Sequence, residues 1–431
     1  MQTKTTPRAG RCFRRPAPVA LLLAVLPVVV LRGSDGRAQQ QEVGADAPAG
    51  VVLDRDTVIA LARRQAPDVR TARVRIGEST ALHIGARAWA TFNPEIGLSA
   101  GPRWGPISGW FPDVTVSLVW PLDVTGAPAA RWRFADAATR EANALADEAS
   151  WIAAAEALDL WVLALGAQAR VQLEHERAAL DASLLRIAEA RRNAGAVGDG
   201  DVALATVVRA EAQARVQIAE GELNALSEQL RVRLGMGPGT MALSGTLAVG
   251  DAPRLEDLVA GLARRRDVVR AGEAIETARG DLELQRRLGG IVPRLTVFGG
   301  RDSEYFLRGG IDVPIPVYQR NQTRVAVAGA RIETTGAERA AVRARAEGEL
   351  RAAYARYLGT RAAAAALGAA RTAIDDAERL AMRGYELGQH DLASAVLVRR
   401  EASLARTADL EARIALARAR VAVDRTAGVL P

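Results

Sequence analysis

Two uninterrupted blocks of helix-forming residues constrain the fold of this chain more than any other feature. The blocks run over 129–192 and 322–386 and consist mainly of Ala, Arg, Glu and Leu, which are good helix formers. At 1.5 Å per residue, a helix of roughly 65 residues is about 100 Å long. No compact core covers such a rod, so its alanine-rich stripes need other helices as partners, from the same chain or from other subunits. The simplest assembly is a bundle or cylinder of nearly parallel helices.

Each long block is followed by a glycine-containing turn and a second helical segment, predicted over 201–234 and 391–427. The segments Asp201–Ala212 and Asp391–Ala402 align without gaps at an offset of 190 residues, the difference between 391 and 201. Self-similarity at a fixed offset indicates an internal duplication. The predicted units are repeat 1 over 51–245, a linker over 246–253, and repeat 2 over 254–431.

Each repeat is predicted to open with a helix, over 54–89 in the first and over 255–288 in the second. Pro67 interrupts the first of these helices. Because proline removes a backbone donor and clashes with the preceding turn, it either kinks that helix or divides it in two.

Two short strands precede each long helix, in predicted hairpins over 93–122 and 292–316. In the first hairpin Val114, Val116 and Leu118 alternate with polar residues, as in a strand with one apolar face. Four strands per chain cannot close a membrane barrel, which needs at least eight. The strands therefore form either a small soluble sheet or part of a barrel to which several chains contribute.

Aromatic residues cluster in or beside these strands, and they fit an interfacial aromatic belt and ordinary hairpin packing equally well. They are Trp104, Trp110, Phe111, Trp120, Tyr305 and Phe306.

Prolines mark the points where strands pass into the long helices: Pro121 in the first half, and Pro314 and Pro316 in the second. Proline is tolerated at a strand end or a helix start but not inside either element. We therefore interpret Val313–Gln322 as a strand delivered directly into a helix.

The N-terminus has the pattern of a secretory signal, with a membrane anchor as the alternative. Basic residues precede an apolar run over 17–31 that is short for a membrane span, and Ala38 ends a suitable cleavage motif. The expected boundaries are a signal peptide over 1–38 and a flexible tail over 39–50. The only cysteine, Cys12, lies in the signal, so the mature chain is expected to lack disulfides.

Charge argues against nucleic-acid binding. The whole chain has 57 basic and 50 acidic residues, but seven basic residues and one acidic residue fall in 1–38. The mature chain therefore keeps 50 basic and 49 acidic residues, a net charge of +1. Nucleic-acid binding needs clustered cationic surface, which this balance does not suggest.

No pattern of catalysis or metal binding stands out. The three histidines, His83, His175 and His390, lack a second ligand at helical spacing, and the glycine-rich stretch 195–200 lacks the Lys and Ser/Thr of a phosphate loop. We predict no enzyme activity, no cofactor and no bound metal.

The order of elements resembles the TolC-type outer membrane efflux proteins. Residues 62–69 resemble the opening helix of that family, and 262–268 its second copy. The segment Val313–Gln322 resembles the family's strand-to-helix signature, and its ending, Pro-x-Tyr-x-Arg-Asn-Gln, is closest to the CzcC-like branch of heavy-metal efflux. The junction residues carried over are Pro121, Pro314, Pro316, Arg320, Asn321 and Gln322.

The resemblance implies a mainly α fold with a small antiparallel β part. It implies a homotrimer in the outer membrane of a Gram-negative bacterium, with a twelve-stranded barrel in contact with lipid and a helical tunnel in the periplasm. A periplasmic adaptor and an inner-membrane pump of the resistance-nodulation-division (RND) class would deliver metal cations. Drugs or other organic solutes are the alternative cargo, and a soluble periplasmic coiled-coil adaptor is the alternative class of protein.

The resemblance also implies that the two helical turns form the periplasmic tip and gate. Gly198 and Gly388 match the tip glycines of the family. Tyr385 matches a tyrosine that helps hold the closed aperture, and His390 lies where the family often has a basic partner of that tyrosine. The family's aspartate ring is missing, since Ser394 and Leu397 occupy the matching positions. Near the mouth two acids remain, Asp201 and Asp391, and both are better interpreted as helix N-caps.

Overall fold

The computed structural model describes residues 51–88, 92–105, 109–301 and 304–430. The predicted signal peptide over 1–38 and tail over 39–50 lie outside the described residues. Within them the chain is mainly helical, with a small antiparallel sheet and a sequence of elements that repeats once. These are the features expected from the sequence, and the predicted fold class is confirmed.

Helices provide most of the structure. In the first half they are α1 (Arg55–Gln65), α2 (Pro67–Ala86), α3 (Ala127–Asn193) and α4 (Asp199–Arg233). In the second half they are α5 (Leu255–Gly261), α6 (Arg266–Leu288), α7 (Gln322–Glu386) and α8 (Leu392–Ala427). The strands are β1 (Val51–Leu53), β2 (Glu95–Gly105), β3 (Gly109–Pro121), β4 (Met241–Leu243), β5 (Arg294–Arg301) and β6 (Tyr305–Asp312).

Each of the two longest helices begins at a residue with left-handed backbone conformation. Gly126 precedes α3 at φ 75°, and Asn321 precedes α7 at φ 60°. Glycine adopts this conformation without strain, and asparagine is among the few other residues that tolerate it. This shared device turns the chain out of the sheet and into each rod.

Both opening helices are divided, the first at Pro67, as one of the two predicted alternatives had it, and the second where one continuous helix was predicted. Pro67 divides α1 from α2. In the second repeat the break lies at Arg265, whose ψ of 135° is extended. The Arg265 side chain is buried, bonds Asp267 and Glu349, and lies over the Trp151 ring. Because Glu349 and Trp151 are distant in sequence, the local pattern of 255–288 gives no sign of the interruption.

A short parallel pairing lies near the end of the first repeat, before the predicted linker 246–253. Strand β4 pairs with β1 in register from Val51 opposite Met241 to Leu53 opposite Leu243. Strands of three residues are too short to show an alternating pattern, so sequence analysis missed both.

Helices pack side by side in two antiparallel pairs, α3 with α4 and α7 with α8, and α3 also contacts α2, α6 and α8. The largest core surrounds Trp151, Leu158 and Trp161 of α3. Helix α3 also contains a window apolar and long enough to cross a membrane, but 61% of that window is buried inside the protein. The window is therefore explained by the core position of α3.

Candidate functional site

Both hairpins join in one four-stranded antiparallel sheet with the order β2-β3-β5-β6. The central pair comes from different halves of the chain, with Val114 opposite Arg301 and Trp120 opposite Leu295. Strands β2 and β6 form the two edges, and among the described residues neither has a further strand partner.

One face of the sheet is apolar and exposed. Residues directly opposite each other share a face, so the register assigns each side chain. Ile96 is 80% exposed and Leu307 is 79% exposed. The apolar face consists of Ile96, Leu98, Ala100, Pro102, Trp104, Trp110, Pro112, Val114, Val116, Leu118, Trp120, Leu295, Val297, Gly299, Arg301, Tyr305, Leu307, Gly309 and Ile311.

The opposite face is polar and, on the central strands β3 and β5, more covered. Thr115 and Ser117 on β3 are half-buried, whereas Val114, Val116 and Leu118 beside them are exposed. The polar face also carries charges, which are Glu95, Arg103, Asp113, Arg294, Arg308 and Asp312. A sheet in water buries its apolar face and exposes its polar face, so this arrangement is inverted.

Aromatic residues divide between the two faces. Trp104 and Trp110 are directly opposite each other at the turn end of the first hairpin, and Trp120 lies at the helix end of the same face. Phe306 instead lies on the polar face, where its ring contacts Phe298 edge to face at 6.5 Å. A single belt containing all the predicted aromatics is therefore wrong for Phe306, and the Phe111 side chain lies outside the described part of the structure.

The second strand-to-helix junction is a folded connection, and the prediction of direct delivery was wrong. Strand β6 ends at Asp312, and 313–321 intervene before α7. Asn321 donates to the Gln285 backbone carbonyl at 2.7 Å, and Arg320 Nε donates to the Pro316 carbonyl at 2.8 Å. Gln322 Nε2 donates to the Tyr318 carbonyl at 2.8 Å. Asn321 thus ties the junction to the end of α6, while Arg320 and Gln322 bond carbonyls of the connection itself.

Prolines play different parts at the two junctions. Pro121 is buried at the end of β3, next to a hydrogen bond from the Leu122 amide to the Pro293 carbonyl at 2.7 Å. Pro314 is exposed and Pro316 half-buried within the connection 313–321. The first junction is therefore tied to the neighbouring strand, and the second to α6.

The two helical turns at the other end of the molecule have the same backbone hydrogen bonds. The Gly195 amide donates to Arg192, and the Gly388 amide donates to Tyr385, with φ of 71° and 75° at the two glycines. In backbone geometry Gly388 therefore corresponds to Gly195, whereas Gly198, at the offset of 190, has an extended backbone.

Helix starts at these turns also differ from prediction. Gly198 has an extended backbone and precedes α4, which begins at Asp199, so Asp201 lies inside the first turn and does not cap the helix. Asp391 does cap α8, since its carboxylate accepts from the Ser394 amide at 3.1 Å. Helix α4 begins earlier than the repeat alignment implied. Its N-cap is therefore Gly198 and not Asp201.

Tyr385 is completely buried between the helix pairs, in a cluster with Leu184 and Leu392. Arg191 of α3 donates to the Tyr385 carbonyl at 2.7 Å, and its guanidinium lies 4.7 Å from the centre of the ring. Burial raises the pKa of Tyr385, as does the negative charge of Asp201, and Arg191 opposes both. The contact with Arg191 joins α3 to α7 and was not apparent from the sequence.

The Tyr385 hydroxyl is buried without a hydrogen-bond partner, so it does not bond His390. His390 is exposed, and its ring packs over Gly384, where an added Cβ would lie 2.2 Å from the ring. The structure brings Tyr385, Gly388, His390 and Asp391 together at one turn, without the predicted tyrosine–histidine contact.

A buried ionic cluster lies close to these turns and was missed by sequence analysis. Arg399 of α8 is 5% exposed, and its Nε lies 3.2 Å from Asp181 of α3 and 3.5 Å from Glu378 of α7. Burial raises the pKa of Asp181 and lowers that of Arg399. The only sequence signal was charged residues at positions that pack between helices.

Solved outer-membrane channels superpose on most of this chain. The outer-membrane channel OprN has a TM-score of 0.70 at 20% identity, covering 87% of this chain and 89% of that chain. CusC, studied for folding and transmembrane channel formation, has a TM-score of 0.70 at 16% identity, with 87% and 92% covered. The open state of the Neisseria gonorrhoeae MtrE outer membrane channel gives 0.67 at 18% identity, with 87% and 88% covered.

By sequence, the chain matches no protein-family model and no curated protein. The structural likeness defines the class of fold: long paired helices and a small antiparallel sheet, as in outer-membrane channels.

Proposed function

We propose that this protein is the outer-membrane channel of a tripartite efflux system. The observation that carries the proposal is the inverted sheet, whose exposed face is apolar while its polar face is more covered on the central strands β3 and β5. Lipid is the solvent that suits such a face, and strands that alternate apolar and polar residues are typical of membrane barrels. Trp104, Trp110 and Trp120 lie near the two ends of the apolar face, as interfacial aromatics do.

The open sheet edges support assembly with further copies, and the number of three comes from the resemblance to TolC-type proteins. Unpaired edge groups are not tolerated in hydrocarbon, so β2 of one copy must pair with β6 of the next. Four strands per copy then give a closed barrel of twelve strands in a homotrimer. This closure would remove every open edge.

The exposed helix α7 supports the same assembly. Its large apolar side chains Val327, Leu358 and Leu380 are exposed in the single chain. Neighbouring copies would cover them and complete a helical tunnel in the periplasm. The gate would lie at the turn end, at Gly198, Asp201, Tyr385, Gly388, His390 and Asp391, where a periplasmic adaptor and an RND-type pump would engage.

The proposed cargo is heavy-metal cations, with organic solutes as the alternative. The proposal rests on the junction motif, in which Arg320, Asn321 and Gln322 bond backbone carbonyls of the connection and of α6. Among the described residues, no group of three or more His, Cys, Asp or Glu is placed to hold a metal ion. Selection of cargo would therefore belong to the pump.

Fractionation of the full-length protein tests the channel. We expect the mature protein in the outer membrane, extracted only by detergent, and as a trimer on native electrophoresis. Release with the soluble periplasmic proteins after osmotic shock would instead support the soluble adaptor.

Gene deletion tests the cargo. Lost tolerance to cobalt, zinc, cadmium, copper or silver supports metals, and lost drug tolerance alone supports organic solutes.

A further inference from the structure

Arg301 is the one charged residue on the apolar face among the described strand positions. It is directly opposite Val114 on β3 and Tyr305 on β6. Its guanidinium lies 5.5 Å from the centre of the Tyr305 ring, and that tyrosine is 82% exposed. A single charge on an otherwise apolar surface requires a physical explanation.

The position of Arg301 along the strand gives the first part of that explanation. Helices α2, α3, α6 and α7 all join the sheet at one end, so both hairpin turns lie at the other end. Arg301 is the last residue of β5, at the turn end of the shorter hairpin, and its partner Val114 lies four residues along β3 from Trp110. A charge on a lipid-facing strand is costly at mid-membrane and nearly tolerated at the interface, and a long arginine stem can extend its head group toward water.

A second cation–aromatic pair on the same hairpin provides a comparison for the pair of Arg301 and Tyr305. Arg308 of β6 lies 5.3 Å from the centre of the Phe306 ring, but both residues are on the polar face. The two pairs have nearly the same geometry and opposite surroundings. In the proposed barrel the polar face is in contact with water, which hydrates Arg308. The guanidinium of Arg301 instead faces the membrane boundary.

We propose that Arg301, held against Tyr305, binds the phosphate group of an anionic lipid of the outer leaflet. Guanidinium forms paired, charge-assisted hydrogen bonds with phosphate oxygens, and an interfacial tyrosine packs beside the head group. This inference rests on the proposed function, because that function places the turn end of the sheet at the outer surface.

Lipid retention by the full-length protein in detergent tests the proposal. The variants are Arg301→Gln and, as the matched control on the polar face, Arg308→Gln. The probe is a bisphosphorylated glucosamine-disaccharide lipid, compared with its dephosphorylated form, and bound lipid is counted by native mass spectrometry. We expect Arg301→Gln to weaken binding of the phosphorylated lipid by about tenfold, as for loss of a charge-assisted pair, and Arg308→Gln to leave it unchanged.

Four outcomes would overturn the proposal: unchanged lipid binding by Arg301→Gln, equal loss in both variants, equal binding of the dephosphorylated lipid, or displacement of the lipid by millimolar inorganic phosphate. The last result would indicate a simple anion site. Wild-type protein missing from the outer membrane would contradict the proposed function itself. Correct insertion of both variants with unchanged lipid binding would contradict only the role of Arg301.

Discussion

The two halves of the molecule build the same elements in the same order, yet they place their longest helices in opposite surroundings. Helix α3 of the first half is buried along most of its length by α2, α4, α6 and α8, whereas α7 of the second half leaves most of its surface exposed. The duplicated sequence thus supplies a buried long helix in the first repeat and an exposed long helix in the second. The exposed helix α7 is therefore available for contacts between subunits.

The largest expected effect separates the two long helices directly. Trp161 of α3 is buried and donates from Nε1 to the Leu53 carbonyl at 3.0 Å, so Trp161→Ala should cost about 3–5 kcal/mol of unfolding free energy. Leu358 of α7 is exposed, so Leu358→Ala should cost the single chain under about 0.5 kcal/mol while weakening the proposed trimer. Urea unfolding and native electrophoresis measure the two effects. The comparison would be contradicted if Leu358→Ala left the trimer intact and lowered the unfolding free energy as much as Trp161→Ala does.

The second prediction uses arginines at matching positions of the repeats. Arg399 is buried beside Asp181 and Glu378, and Arg209, at the offset of 190, is exposed. Arg399→Ala removes the partner that Asp181 and Glu378 share and leaves them only Arg177 and Arg406, so it should cost about 3 kcal/mol. Arg209→Ala should change stability by less than about 0.5 kcal/mol. Equal midpoints of chemical unfolding for the two variants would show that the ionic cluster does not join the helix pairs.

Glycines at the two turns test the match in backbone geometry between halves. Gly195→Ala and Gly388→Ala each force a left-handed backbone on alanine and should cost about 1 kcal/mol. Gly198→Ala, at φ −87° and with open space around the new methyl group, should cost clearly less. Thermal unfolding of the three variants gives the ranking. If Gly198→Ala is the most damaging, the match of Gly388 with Gly195 is wrong.

A smaller effect of opposite sign is expected inside α7. The buried Tyr385 hydroxyl has no partner, so Tyr385→Phe should be neutral or stabilising by up to about 1 kcal/mol. The Tyr357 hydroxyl accepts from the Ala252 amide at 3.1 Å, so Tyr357→Phe should destabilise by about 1 kcal/mol. Destabilisation by Tyr385→Phe would reveal a hydroxyl partner in the assembled protein.

The smallest expected effect is a change in the pH dependence of stability. Burial raises the pKa of Asp181 above its ordinary value of 3.8, although Arg399, Arg177 and Arg215 oppose the shift. The folded chain then holds the Asp181 proton more tightly than the unfolded chain, so this group's contribution to stability falls as pH rises from 3.8 through the raised pKa. Asp181→Asn should flatten that decline in unfolding measured across acidic pH. An unchanged slope would assign the decline to another group.

Periodicity predicted the elements that are long or strongly alternating. The composition of 129–192 and 322–386 specified both rods to within a few residues, because every local preference there favours helix. The alternation of Val114, Val116 and Leu118 likewise identified β3.

Features that depend on distant contacts could not be predicted in this way. Arg265 breaks a helix because of partners in α3 and α7, and Arg399 is buried because two other helices supply carboxylates. At the turns, Arg191 reaches Tyr385 across the helix pairs, which no local pattern specifies. The junction residues Asn321 and Gln322 were identified from their motif, but their hydrogen bonds to α6 and to the Tyr318 carbonyl required the folded chain.

The pairing of β3 with β5 has a consequence for the order of folding. Each hairpin closes a short loop and can form early, whereas the central seam joins strands from different halves and requires closure of a very long loop. The outer strands β2 and β6 take their final separation only after that seam forms. Each chain should therefore finish folding before the proposed barrel closes between copies. Pairing of β3 with β5 would then be a required step before assembly.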